Sequence, residues 1–553
     1  MPVIEVATWD LERLAGKRFT REELEDLLPR VKCEVEGFEG DVVYFEATHD
    51  RPDLFSAEGL ARALKGLTGI EEGLPTFRVG EGRIKVINEG PDYRPYIFCA
   101  AVYGVKLDDE AIKQIMQLQE KLHVTYGRNR KKVSIGVYDL SAIKLPVKYT
   151  TVDPDKFSFV PLDFAEALTP REILRRHPKG IEYGHLIAGH DKYPLLVDSQ
   201  GTVLSMPPII NSEDTRVTED SRDLFIDVTT TDPRVALKVL TIVTTSIAER
   251  GGEIRLAEVE GKGGKWLTPP LDPEEMKLEV SLVERLAGLK LSSSEVASLL
   301  RKMRMGAEPQ NDTVLVTIPA YRTDILHPVD LVEDVVMAYG YDNLVSLKTP
   351  PPHPGREDPL EVFSRAVREA VVGLGFQEVN NYMLTNKEVL YAKMGVPEQP
   401  TVEVENPKQE TYSCLRTWIT PQLMEVLSKS KHADYPQRIF EVGDIVLIDE
   451  SRENKTREER RLAFAIAGRG VTLTDALGVL KALMESFGLN YTLTPASHPS
   501  LIEGRAAKVM VSGREAGFLG EVHPRVLEAF DIGVPVVVAE LSLNTLREAL
   551  LEL

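Results

Sequence analysis

Apolar residues recur at two periods along this chain. Between Asp232 and Gly252 they fall at Val235, Val239, Val243 and Ile247, the stripe of an amphipathic helix. Asp232 is a natural N-cap, Pro233 suits the first helical position, and Gly251-Gly252 ends the pattern. Leu331, Val335 and Tyr339 form a second stripe, which Gly340 stops. A third helix is predicted from Leu360 to Gly373. Strands are predicted at Val42 to Ala47, where polar and apolar residues alternate, and at SIGVYDL, PLLVDS, FQEVNNYML from Phe376 and QRIFEVGDIVLID.

Glycine- and proline-rich stretches follow Gly73, Gly261 and Thr349 and divide this pattern. The segments expected are 1–80, 84–261, 273–348 and 356–553, in a multidomain α+β chain whose second segment mixes strands with long helices.

The first and third segments repeat one another. LERLAGKRFTREELEDLL from Leu11 resembles VERLAGLKLSSSEVASLL from Val283. Thr20 with Glu23, and Ser292 with Glu295, form capping boxes at the same point of each copy. In the same register Arg51-Pro52-Asp53 aligns with Arg322-Thr323-Asp324, and Gly59, Arg62 and Ala63 fall where Asp330, Glu333 and Asp334 stand. The three carboxylates share one face of the first turn of a helix that Asp330 opens, and Asp324 lies six residues upstream. Four converging carboxylates suit a hard cation, Mg²⁺ above all. Asp330 and Glu333 also suit a helix cap and the helix dipole. The first copy lacks the trio, so the fold does not require it.

Composition narrows the picture. The net charge of −20 argues against nucleic-acid binding over the whole surface. It leaves room for one basic cluster, read as a helix before Ser134, with Lys121, His123, Arg128, Arg130, Lys131 and Lys132 around Tyr126. Cys33, Cys99 and Cys414 form no CxxC, so neither a zinc site nor a disulfide framework is expected and a reducing cytoplasm is the natural home. There is no basic-then-apolar leader, and no apolar run approaches the ~20 residues of a membrane span.

Candidate chemistry gathers in PPIINSEDTRVTEDSRDLFIDVTTTDP. If the apolar strands on either side pair, Asn211, Ser212, Glu213, Asp227, Thr229 and Thr230 bracket a polar cleft for a small hydroxylated ligand. No Ser/His/Asp triad spacing accompanies them. The strand with Arg438 and Glu441 looks like the second signature of class II aminoacyl-tRNA synthetases. GFLGEVHPRVLEAF, with Gly517, Gly520 and Arg525, resembles a decayed third signature, the one that holds ATP.

The order of these parts resembles the β subunit of phenylalanyl-tRNA synthetase, archaeal/eukaryotic type, over essentially the whole chain. NSEDTRVT, HDRPDLFSAEGLARAL and YRTDILHPVDLVEDVVMAYGYDNL are its most specific marks. The resemblance implies two winged-helix-like units, an editing domain and a degenerate class II-like module that packs on a partner. It implies a tetramer of two α and two β chains, with the ATP-dependent joining of phenylalanine to tRNA on α. It implies hydrolysis on β of tyrosine wrongly attached to the tRNA. Such a second sieve is useful because an apolar pocket rejects an added hydroxyl by only roughly 10²-fold. Carried over by motif, the Mg²⁺ ligands are Asp324, Asp330, Glu333 and Asp334. The editing pocket takes Ser205, Asn211, Asp227 and Thr229, with Asp227 or Thr229 meeting the phenolic hydroxyl. Arg128, Arg130 and Lys131 are expected to contact tRNA. The competing expectation is a nucleic-acid-binding or tethering protein without chemistry of its own.

Overall fold

The repeat folds twice into one element order. In the first copy the strands Val3–Ala7, Val42–Ala47 and Cys33–Glu39 pair antiparallel in that spatial order. The helices Thr8–Ala15, Arg21–Leu27 and Ala57–Leu67 accompany them. In the second copy Glu274–Glu279, Thr313–Ile318 and Gly306–Gln310 pair in the same order, with helices Val280–Ala287, Ser293–Lys302 and Pro328–Tyr339. Both predicted capping boxes form. The computed structural model describes residues 1–350 and 353–552, in two compact units that divide at Leu347 and Lys348. Among the described residues no helix is long and apolar enough to cross a membrane.

Within the first unit the two copies meet reciprocally. The Ala57–Leu67 helix touches Ser293–Lys302, and Pro328–Tyr339 touches the Pro29–Val31 turn, so equivalent surfaces are exchanged. The approach is close enough that a Cβ on Gly66 would lie 2.2 Å from the Lys302 carbonyl oxygen. Each copy holds the same fork: Arg51 donates two bonds to Asp53 at 2.9 and 2.8 Å, and Arg322 donates two to Asp324 at 2.9 and 2.8 Å.

Between the copies in chain order comes a ten-stranded sheet. Its spatial order is Ile210–Asn211, Val203–Met206, Tyr193–Val197, Val147–Val152, Ile84–Asn88, Glu253–Gly261, Tyr96–Tyr103, Leu224–Thr230, Val133–Asp139, with Gly264–Thr268 beside Glu253–Gly261. The helix Pro233–Ala248 is capped by Asp232 as predicted. Val239, Val243 and Ile247 bury against Phe98, Ala100 and Val102 of the sheet, in a core that continues into the first repeat copy. A buried charge triad fastens that junction. Arg250 bonds Asp10 at 2.8 and 3.2 Å and also bonds Glu58. Removing one member of such a cluster leaves a buried charge unpaired, at roughly 3–5 kcal/mol.

The second unit is built on a seven-stranded sheet. Gln437–Ile448 and Thr456–Ala467 form its long antiparallel hairpin, followed outward by Val536–Ser542, Arg514–Val522, Leu501–Val511 and Tyr491–Pro495. Period-two patterning serves both faces. Leu462, Phe464 and Ile466 pack with the helices Pro359–Gly373, Leu473–Ser486 and Leu543–Leu551, while Ala463, Ala465 and Ala467 face the Thr420–Lys429 helix. The predicted strand FQEVNNYML shrinks to Gln377–Glu378 and Leu384–Thr385. Asn381, between them, instead donates to Glu441 at 2.7 Å.

Candidate functional site

Ser205 and Asp227 come together although their strands do not pair. The condition that the strands flanking NSEDTRVT pair is not met. Val203–Met206 pairs with Tyr193–Val197, and Leu224–Thr230 runs between Tyr96–Tyr103 and Val133–Asp139. The two ends of the sheet nevertheless approach each other, and Asn211 Nδ2 reaches the Val137 carbonyl at 3.4 Å. A cavity of about 350 Å³ lies there, lined among others by Ser205, Pro208, Asn211, Asp227, Arg130 and Tyr138.

Tyr138 joins its halves. Its hydroxyl lies 2.8 Å from Ser205 Oγ and bonds Asp227 Oδ1. A phenol has one proton to give. With the Tyr138 O–H donating to Asp227, the phenolic oxygen can accept from the Ser205 hydroxyl. Asp227 Oδ2 has no hydrogen-bond partner among the described side-chain bonds, and Asp227 lines the cavity. Burial pushes the Asp227 carboxyl up to about 7, against the Tyr138 bond and the nearby Arg94. Gly136 makes the arrangement possible, since a Cβ there would stand 2.0 Å from the Tyr138 hydroxyl and 2.3 Å from Asp227 Oδ1. Sequence reasoning missed Tyr138 and Gly136. A glycine inside a predicted strand, SIGVYDL, is a sign of close approach that could have found them.

Thr229 lies elsewhere. It is fully buried, and its Oγ1 accepts from Arg94 Nε at 2.9 Å. Arg94 also donates to the carbonyls of Thr229, Arg130 and Lys131 at 2.8, 3.2 and 3.3 Å. It bonds no carboxylate, and burial lowers it to about 10. The basic cluster is divided too. Its helix ends at Val124, and Arg128, Asn129 and Arg130 all have left-handed backbone, with φ of 48°, 53° and 63°. His123 is buried, accepts from Ile135 N at 2.8 Å and is lowered to about 4 by burial, so it is no surface cation. Arg130 is buried, donating to Glu120 at 2.6 Å and to the Ile209 carbonyl at 2.8 Å. Arg128 and Lys131 remain exposed. The one histidine lining the cavity, His177, has both ring nitrogens engaged, by Lys179 N and the Leu162 carbonyl.

Two of the four carboxylates proposed as metal ligands, Asp324 and Asp334, share an arginine. Asp324 takes the Arg322 fork, and Asp334, fully buried, accepts from Arg322 at 2.7 Å. Burial works to raise both acids; the twofold bond to Arg322 holds Asp324 below the usual range, while Asp334 stays above it. Asp330 does not open the helix. His327 is the N-cap, and Asp330 Oδ2 accepts from the backbone of Leu326 and His327 at 2.8 Å each. Glu333 turns to Lys32 of the other copy at 2.8 Å. Among the described residues no group of three or more His, Cys, Asp or Glu is placed to hold a metal ion. In this arrangement the four do not fit a Mg²⁺ shell, because a guanidinium already stands between two of them.

In the second unit Arg438 and Glu441 point apart. Arg438 lies over Phe376, whereas buried Glu441 accepts from Arg416 at 2.6 Å. Gly517 answers to packing: a Cβ there would stand 2.0 Å from the Glu540 carbonyl oxygen.

A phenylalanine–tRNA ligase beta subunit from Thermofilum pendens is 55% identical to this chain over 552 residues, covering 100% of this chain and 99% of the relative. The chain belongs to the phenylalanine–tRNA ligase beta subunit family. As a member of it, the chain is a component of that ligase. The beta subunit from Pyrococcus horikoshii is 46% identical over 554 residues, covering 99% of this chain and 100% of the relative. Two family models match, the phenylalanyl tRNA synthetase beta chain CLM domain at residues 345–543 and the tRNA synthetase B5 domain at 276–341. The B5 match falls on the second repeat copy. A crystal structure of an N-terminal fragment of the Pyrococcus horikoshii phenylalanyl-tRNA synthetase beta subunit is similar with a TM-score of 0.59 and 44% identity, over 62% of this chain and 100% of the fragment. The beta-subunit cavity at Asp227 lies within the first of the two units.

Proposed function

We propose that this beta subunit hydrolyses tyrosine from mischarged tRNA in the cavity at Asp227. One observation carries the reading: a buried carboxylate whose Oδ1 is bound by Tyr138 and whose Oδ2 has no partner among the described residues. A tyrosine ring in the cavity brings a phenolic O–H to that oxygen. A phenylalanine ring brings nothing, and the desolvated carboxylate is left unsatisfied. Ser205 and Asn211 line the same cavity. Thr229 acts at one remove, by holding Arg94. His177 has no free nitrogen to act as base. The attacking group is therefore a water held in the cavity. It adds to the ester carbonyl, the tRNA hydroxyl leaves with the proton, and tyrosine is released.

Synthesis belongs to an α subunit, in a complex of two α and two β chains, with ATP as its substrate and tRNA for phenylalanine as its acceptor. The repeat copies serve as winged-helix-like units. The second unit serves as a class II-like module without a working nucleotide site: Glu441 is taken by Arg416, and Glu540 accepts from Ile419 N, Thr420 N and Thr420 Oγ1 at 3.0, 2.9 and 2.7 Å. The test is deacylation by the complex. Asp227→Ala should let Tyr-tRNA accumulate and leave Phe-tRNA formation nearly unchanged. If both products fall together, or neither changes, tyrosine is recognised elsewhere.

A further inference from the structure

A second cavity, of about 430 Å³, lies beside the first. Its lining includes Tyr93, Arg94, Lys131, His185, His190 and Pro208. Pro208 lines both cavities, and Arg130 of the first precedes Lys131 of the second. Tyr93 and His190 stack with ring centroids 3.6 Å apart and planes within 4°. No carboxylate lines this cavity, in a chain of net charge −20, whereas Glu120, Asp163 and Asp227 line the first. Arg94 sits in its wall as a buried cation that bonds only carbonyls and a hydroxyl, so its charge is not cancelled by a bonded anion. Lys131 adds an exposed ammonium held on the left-handed turn.

An aromatic stack beside cations that bond no carboxylate is a chemistry that binds single-stranded nucleic acid. The ring face takes a base of any kind, and the cations take the phosphate. We propose that this cavity holds a nucleotide of the unpaired tRNA 3′ end, next to the ribose that carries the ester. His190 supplies the stacking surface, with Tyr93 behind it, and Lys131 meets the phosphate. The inference rests on the editing reading, since it is the ester in the Asp227 cavity that brings the 3′ end here. It goes further by naming the site that positions the strand. The site is sequence-tolerant, so discrimination between amino acids stays with Asp227.

The experiment compares two RNA minihelices, one ending in unpaired CCA and one lacking those three nucleotides, by fluorescence anisotropy with the full chain. The CCA-ended RNA should bind more tightly. Lys131→Ala with His190→Ala should weaken it about tenfold and leave the truncated RNA unchanged. His190→Phe, which keeps the stack, should bind as the unaltered chain does. In deacylation of Tyr-tRNA the double variant should raise KM and hold kcat. Equal affinity of the unaltered chain for the two RNAs, or an unaffected double variant, overturns the proposal. If the CCA-ended RNA binds as expected while Tyr-tRNA is not hydrolysed, the editing reading falls and the nucleotide site stands.

Discussion

The hydroxyl of Tyr138 bonds the carboxylate of Asp227 from the neighbouring strand, while Tyr138 itself sits opposite Phe225 and Asp227 opposite Gly136. The contact is therefore diagonal across the two strands, and it exists because Gly136 carries no side chain to fill the gap. It fixes one carboxylate oxygen and leaves the other for a ligand.

Tyr138→Phe keeps the ring and removes this bond. The carboxylate then loses the side-chain bond that holds it, and Tyr-tRNA hydrolysis should fall about tenfold with little effect on Phe-tRNA. The Tyr138 bond lowers the Asp227 pKa, so without it the acid limb of the deacylation profile should move to higher pH. Rates measured from pH 5 to 8 decide this, and an unmoved limb would mean that Tyr138 only fills space.

Asp227 should also mark the pH dependence of folding. Its folded pKa, about 7, lies above the ordinary carboxylate value. Between the two values the folded state binds more protons than the unfolded one, so stability falls as pH rises through that window. Relative to Asp227→Asn, which does not titrate, the unaltered chain should lose a few kcal/mol between about pH 4 and 7 and then level off. Denaturant unfolding at several pH values reads this directly. A constant difference between the two proteins contradicts it.

Local patterning carried well into the fold. The Asp232 cap, both capping boxes and the apolar stripe of Pro233–Ala248 stand where hydrophobic period and cap chemistry put them. What the sequence did not carry was the long-range closure. Ser205 meets Tyr138 across strands that lie far apart in sheet order, and no local signal encodes that. Thr229 and Asp227 share a strand face, yet Arg94, more than a hundred residues away, claims Thr229 alone. The carboxylates of 324–334 also have partners that their spacing does not encode. Their spacing is compatible with convergence, but Arg322 takes Asp324 and Asp334, Lys32 takes Glu333, and backbone N–H groups take Asp330.

The repeat predicts a position-specific asymmetry. Gly59 aligns with Asp330, yet a Cβ on Gly59 would lie 1.5 Å from the Asp53 carbonyl oxygen, a backbone atom that cannot swing aside. Gly59→Ala should cost roughly 1–3 kcal/mol, as overpacking of a close contact does. Asp330→Ala should cost about 1 kcal/mol through its lost capping bonds. Thermal unfolding of the two variants compares them. A Gly59→Ala chain as stable as the unaltered one would show that the first copy relaxes where packing says it cannot.

Arg322 and Glu333 should respond very differently to substitution, and metal should not alter the contrast in the chain by itself. Arg322 is buried and satisfies two acids, so Arg322→Ala strands Asp324 and Asp334 in the interior at roughly 3–5 kcal/mol. Glu333 is 45% exposed in its pair with Lys32, and such a pair is worth about 1 kcal/mol at most. Glu333→Gln should therefore lose little, and equally with Mg²⁺ or with a chelator. Were Glu333 a metal ligand, the loss would grow with Mg²⁺, because a ligand of the folded state adds stability only while its site is whole. Denaturant titrations in both conditions separate the cases. A larger loss with Mg²⁺ would require Arg322 to yield its carboxylates to the ion.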